Sequence, residues 1–243
     1  MEYIVKGIVL GGVTYKDKNK ILSVFSLEKG LISCKLIGVL KENAKLKAVK
    51  EPFCFAEFVL TSKNSNFYTI SSANIIDSFF DLTADYDKFT IGCSILEIVK
   101  KVALEDNPNE ALFIEMLKAL KVLTYENVDE NVVLTKFLIS IFEAMGYALS
   151  LEKCACCGEN FVGKRFFNLE SGDIVCFSCK RPNSIQISPL VHSTLRLTKK
   201  TEYDNLKNLK LKKEAVKTAL DLLTDNFKQR FECSLRTTDK FPK

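Results

Sequence analysis

Hydrophobic and polar positions change their period once along this chain. Over the first eighty residues the repeat is close to two, and apolar residues set out five short strands at 3–10, 21–27, 31–39, 53–60 and 67–70. Glu28-Lys29-Gly30 supplies the turn between the second and third. Five strands in so short a span predict a small closed β-barrel over residues 1–80.

From about Asp81 the repeat becomes three to four. Phe89, Cys93, Leu96 and Lys100 set out one helix, widened by Ile95, Ile98, Val99 and Val102. Asn107-Pro108-Asn109 breaks it, and residues 111–123 make a second. A third carries Leu134, Phe137, Leu138, Ile141, Phe142 and Met145 on one broad face, with Gly146 at its C-terminal end. Ser188-Pro189 offers another helix start, residues 191–198 read as short and mixed, and 214–231 carries Val216, Ala219, Leu220, Leu223, Phe227 and Phe231 at helical spacing. The fold class expected is α+β and multidomain: a barrel, then an all-helical domain over residues 81–243 with an insertion.

That insertion, residues 151–182, holds the clearest chemistry. Cys154 and Cys157 form one C-x-x-C pair, Cys176 and Cys179 another, separated by eighteen residues. Such spacing is expected of a zinc site, in which each pair places two thiolates on one metal and a hairpin brings the second pair back. Arg165, Phe166, Phe167 and Asn168 read as the outgoing strand, Ser171-Gly172-Asp173 as the turn and residues 174–176 as the return. Four sulfurs leave no open coordination position, so one structural Zn²⁺ is expected, and its binding would fold a segment too small for its own core. Disulfides, or a C-x-C arrangement through Cys156, are the competing readings; otherwise Cys156 is spare. Cys34, Cys54, Cys93 and Cys233 stand alone among apolar residues and read as buried small hydrophobes.

Charge divides the chain in the same places. Basic residues number 11 against 7 acidic over residues 1–80, 6 against 12 over 81–150, and 18 against 11 over 151–243. Basic ends around an acidic middle suggest an anionic partner. Lys16, Lys18 and Lys20 lie in the connector between the first two strands, and Lys41, Lys45 and Lys47 in that between the third and fourth. A solvated surface accounts for any one of them. As a group, with Tyr15 beside them, they suit phosphate contacts and a stacking surface on a barrel of the oligonucleotide-binding (OB) type.

Enzymatic constellations are missing. His192 is the single histidine and is followed by Ser193 and Thr194, which rules out a multi-histidine zinc site and the H-x-E deaminase pattern. No G-x-x-x-x-G-K-[ST] loop is present, and a non-enzymatic binding protein is expected. Met1 opens directly into a strand-like stretch, and no apolar run reaches the length of a membrane span, so a cytoplasmic chain with no membrane association is expected.

The order of parts resembles the RecO family of DNA recombination and repair mediators. The resemblance rests on Gly7-Ile8-Val9-Leu10, on the stretch 21–31, and on Cys154-x-x-Cys157-Gly158 with Cys176-x-x-Cys179. It implies a protein that binds single- and double-stranded DNA, anneals complementary strands and works with RecR to load RecA onto DNA covered by single-stranded DNA-binding protein, in association with the nucleoid. It also implies that the helical domain receives the acidic tail of single-stranded DNA-binding protein. Lys217, Lys228 and Arg230 would form a basic rim there, over a floor of Leu220, Leu223 and Phe227. Where many members carry an arginine-rich segment after the third strand, this chain has Gly38-Val39-Leu40-Lys41-Glu42-Asn43, and lysine lacks arginine's bidentate fork. The alternative is a zinc-bearing nucleic-acid-binding module of transcription or translation, which co-purifying RNA polymerase or ribosomes would favour.

Overall fold

Five strands close on themselves at the start of the chain. A computed structural model describes residues 2–41, 46–62 and 67–237. The strands are β1 (Glu2–Tyr15), β2 (Asn19–Ser26), β3 (Gly30–Leu36), β4 (Phe55–Thr61) and β5 (Tyr68–Asp77), in barrel order β1-β2-β3-β5-β4. All neighbours are antiparallel except β3 and β5, which close the barrel in parallel through Cys34–Tyr68 and Lys35–Thr69. Alternate residues, among them Val5, Val9, Leu22, Val24, Phe58 and Leu60, face the interior and are buried. Each contributes about 1.5–3 kcal/mol by leaving water. The buried Cys34 and Cys54 thiols are pushed up to about 12 and about 11 by desolvation, so they remain protonated apolar fillers, as their sequence context suggests.

Two strands run further than the alternation predicts. The bulge between Val9 and Gly11 releases β1 from the barrel wall, and it continues as a hairpin arm with β2 whose residues 12–15 are exposed. With both of its faces in water, that end of β1 has no hydrophobic alternation to read. β5 extends to Asp77 because β4 pairs with it along its whole length, although its outward Ser71, Ser72 and Asn74 conceal the period.

The chain forms two compact units, Met1–Asp85 with Leu96–Ile114, and Tyr86–Ile95 with Glu115–Lys243. Helices α1 (Tyr86–Val102) and α2 (Glu110–Tyr125) contribute residues to both units. In the first unit the connector between them is stitched to β3: Leu31 N–H donates to the Leu104 carbonyl at 3.1 Å, and Asp106 N–H donates to that of Leu31 at 3.2 Å. Asn109 caps α2 by accepting from Leu112 N–H at 2.9 Å.

In the second unit α3 (Glu130–Ala144) is buried continuously from Val132 to Phe142 and is packed by α4 (Pro189–Lys200) and α5 (Lys213–Arg230). Residues 191–198, expected to be short and mixed, form most of α4. Ser188 Oγ caps it, Pro189 begins its first turn, and Val191, His192, Leu195 and Thr198 make its buried stripe. The exposed Leu190 and Leu197 had blurred that periodicity. Between α3 and α4 lies a three-stranded sheet in the order β7-β6-β8, made by β6 (Arg165–Asn168), β7 (Ile174–Cys176) and β8 (Ser184–Ile187). β8 was unread because Ile185 and Gln186 are both exposed, which leaves no alternation.

Gly30 shows how closely the connector lies on the barrel. Its φ is +69°, and an added Cβ would fall on the Asn107 backbone carbonyl. Gly30→Ala should therefore destabilise the protein by more than about 1 kcal/mol, read as a lower urea midpoint at unchanged m-value. An unchanged midpoint would show that the connector is not seated there.

Candidate metal centre and nucleic-acid interface

The first C-x-x-C turn is made by backbone rather than by packing. Gly158 N–H donates to the Cys154 carbonyl at 2.9 Å, and Gly158 takes φ +75°, the left-handed conformation that lets the chain leave the knuckle. Cys154 N–H bonds the Glu159 carbonyl, while Ala155 N–H bonds that of Ile174 and so ties this knuckle to β7. The second knuckle follows as a 3₁₀ turn at Phe177–Cys179. As a result Cys154, Cys157, Cys176 and Cys179 bring their sulfurs within 4.8 Å of one another, with Cys157 and Cys176 4.0 Å apart. All four converge on one point and none is disulfide-bonded, an arrangement that favours a shared metal over two disulfides. Cys156 is not one of the four that converge, and it is exposed.

Four sulfurs this close form a set that could hold one metal ion. Burial alone would raise the Cys154 thiol, but backbone hydrogen bonds from Cys157, Cys176 and Cys156 outweigh it and bring its pKa to about 6. Cys176 N–H, for instance, lies 3.3 Å from the Cys154 sulfur. Hydrogen bonding with the Cys176 and Cys156 thiols, together with burial, pushes Cys179 well up. One sulfur is thus prepared as a thiolate, while the Cys157 and Cys179 thiols are held up by hydrogen bonds with neighbouring thiols and by burial.

The hairpin is fastened at both ends within the helical unit. At its tip Gly172 turns with φ +73°, Asn226 Nδ2 donates to the Leu169 carbonyl at 2.6 Å, and the Arg230 guanidinium donates to that of Glu170 at 2.9 Å. At its base Arg165 donates to His192 Nδ1 at 2.7 Å, and His192 Nε2 meets the Leu151 carbonyl at 2.6 Å. The guanidinium only donates, so Nδ1 is the acceptor and Nε2 carries the proton. Burial holds this imidazole below its ordinary pKa, and Arg165 and Arg196 add to the effect against the pull of the Leu151 hydrogen bond. His192 is therefore a neutral bridge between hairpin and α4. The sequence offered no pairing of Arg165 with His192, twenty-seven residues apart.

Both basic connectors of the barrel meet at one end. Lys16 and Lys18 are exposed in the turn of the β1–β2 hairpin, and Lys20 is half-buried at the start of β2. Lys41 is exposed beyond β3, Lys47 is exposed before the short 3₁₀ turn Ala48–Lys50, and Lys45 lies outside the described residues. Leu40 N–H donates to the Lys18 carbonyl at 3.3 Å and Gly38 N–H to Asn19 Oδ1 at 2.8 Å, which ties the two loops together. Lys16 and Lys35 place their ammonium groups 5.5 Å and 5.3 Å from the Tyr15 ring centroid. Lys29 does the same for Tyr3 and Tyr68, at 4.2 Å and 5.3 Å. Lys29 and Lys35 sit in a turn and a strand rather than in a run of lysines, so the sequence does not single them out.

The expected apolar floor on α5 requires correction. Leu220, Leu223 and Phe227 are 7%, 0% and 0% exposed, and Phe227 stacks between Phe142 and Phe231, so these side chains are core rather than an open groove. Among the rim residues, Lys217 is exposed, while Arg230 covers the Tyr147 ring and holds the hairpin tip. Asp221 and Asp225 fall between Lys217 and Lys228 at helical spacing, which makes the charge of that face mixed.

Comparison with known proteins covers nearly the whole chain. Residues 1–79 match the family described as recombination protein O N terminal, and residues 83–239 that described as recombination protein O C terminal. The DNA repair protein RecO of Caldicellulosiruptor saccharolyticus is 28% identical over 236 residues, 97% of this chain and 96% of the relative. That of Caldicellulosiruptor bescii is 30% identical over 213 residues, 86% and 84% of the two chains. That of Desulforamulus reducens is 27% identical over 241 residues, 98% and 93%. Among the described residues no helix is long and apolar enough to cross a membrane.

Removing the imidazole tests the bridge at the hairpin base. His192→Ala leaves the Arg165 donor and the Leu151 carbonyl without their buried partner, at a cost of about 1–3 kcal/mol. The urea midpoint should fall, and limited proteolysis should speed up selectively within residues 150–187. A variant as resistant as the parent would show that the hairpin is held without it.

Proposed function

The chain belongs to the recombination protein O (RecO) family, and on that premise we propose that it is a non-enzymatic mediator of DNA repair and recombination. It binds single- and double-stranded DNA, anneals complementary strands and, with RecR, helps load RecA onto DNA covered by single-stranded DNA-binding protein. Its place is the cytoplasm, at the nucleoid. The observation that carries this reading is the meeting of the two lysine-bearing loops at one end of the OB-type barrel, with Tyr15 between Lys16 and Lys35. Clustered ammonium groups repel one another in the free protein and are relieved by phosphates, so binding releases the DNA's counterions and needs no base sequence. Annealing uses the same neutralisation, since it removes the repulsion between two strands.

One structural zinc fits the cysteine set. A tetrahedron with zinc–sulfur bonds of about 2.3 Å has edges of about 3.8 Å, close to the 4.0 Å separation of the Cys157 and Cys176 sulfurs. The donor set of four thiolates suits zinc and leaves no position for a substrate. For the acidic tail of single-stranded DNA-binding protein, Lys217, Lys228 and Arg230 are the basic contacts proposed in the helical unit, without Leu220, Leu223 and Phe227 as an open floor.

Binding to labelled oligonucleotides across a salt series tests the barrel surface. Replacing Lys16, Lys18, Lys20, Lys41, Lys45 and Lys47 by Ala should weaken binding and reduce the salt slope for single strands by up to about 4. An unchanged slope in a folded variant would move the DNA surface elsewhere. Elemental analysis of the purified protein should find about one zinc per chain, lost in the Cys176→Ser, Cys179→Ser double variant. Zinc retained by that variant would contradict the ligand set.

A further inference from the structure

The second knuckle carries an aromatic surface that neither the barrel end nor the metal cluster explains. Phe177 stands between Cys176 and Cys179, and it is 58% exposed although both of those cysteines turn into the cluster. Phe166 lies beneath it, ring centroids 6.2 Å apart and planes tilted by 52°. The Lys180 ammonium stands 4.5 Å from the Phe177 centroid and 5.3 Å from that of Phe166. Arg165 pairs with Cys176 in the β6–β7 ladder, which puts the exposed Lys164 alongside Phe177. Arg181 follows Lys180 and is exposed, and residues 160–169 and 174–184 contain no acidic residue.

We propose that Phe177 and Lys180 form a second single-strand contact, in which an unpaired base stacks on the Phe177 ring and the adjoining phosphate meets Lys180. The proposal rests on the reading of the chain as a DNA-binding protein and adds a site outside the barrel. With the Lys180 ammonium over the Phe177 ring and the ring still 58% exposed, the surface offers a flat apolar face beside a cation, which suits a base rather than a peptide; a base inside a duplex has no free face to offer. The short turn between two cysteines of the cluster holds the ring in place, so little side-chain freedom is lost on binding.

The chain contains no tryptophan, so Phe177→Trp installs a sole reporter. With the full-length, metal-replete protein, a single-stranded oligothymidylate should quench this fluorescence in step with the anisotropy of the labelled strand, while a blunt duplex should leave it unchanged. Phe177→Ala should weaken single-strand binding about tenfold and duplex binding far less. Unchanged fluorescence while anisotropy reports binding would overturn the knuckle site and leave the DNA-binding reading intact. No binding in either channel, for the parent protein as well, would overturn both. Quenching by an acidic peptide and not by the oligonucleotide would give the surface to a protein partner and overturn the proposal. If Phe177→Trp does not fold, Phe177→Ala and Lys180→Gln carry the test, and single-strand affinity equal to the parent's in both contradicts the proposal.

Discussion

The convergence of four thiols within 4.8 Å is the constraint on which the second half of this structure depends. Sulfurs cannot share so small a space as anions without a cation, and the chain prepares for one unevenly. Backbone N–H groups bring Cys154 to about 6, while neighbouring thiols push Cys179 upward. Once the two knuckles meet, β6 and β7 are in register and the hairpin presents fixed points to the helices. Asn226 and Arg230 of α5 take its tip, and His192 of α4 takes its base. A segment with the small satellite core of Cys154, Phe166 and Val175 becomes in this way part of a larger helical unit.

The barrel answers to a different constraint. Its interior closes on ordinary alternation, but its basic end follows from where closure leaves the loops. The β1–β2 arm and the segment after β3 share two hydrogen bonds, through Lys18 and Asn19, and this gathers lysines separated in sequence by some twenty residues. Such crowding is unfavourable in water and favourable beside a polyanion. Glycine at position 30, where no Cβ fits, lets the connector between α1 and α2 lie flat against the same barrel.

What could be read from the chain was whatever repeated. Inward residues such as Val24 and Phe58 announced the barrel, α3 announced itself by its broad apolar face, and the C-x-x-C spacing announced the cluster with its four residues. What stayed hidden was set by tertiary partners. β8 has two adjacent exposed residues, the end of β1 has water on both faces, and α4 places Leu190 and Leu197 outward. The same reason explains Leu220, Leu223 and Phe227: helical spacing identifies an apolar stripe but not whether a neighbouring helix already covers it. His192 and Arg165 carried no sequence signal for each other, because their pairing is created by the hairpin's return.

Amide hydrogen exchange of the protein supplied with zinc, and of the same protein after a chelator, tests the central claim most directly. If the four thiols hold the hairpin and the hairpin is fastened to α4 and α5, the metal-free protein should lose protection across residues 150–187 and in the facing turns near His192 and Asn226, while β1 to β5 keep theirs. Protection unchanged in residues 150–187, with the metal shown to be gone, would contradict it.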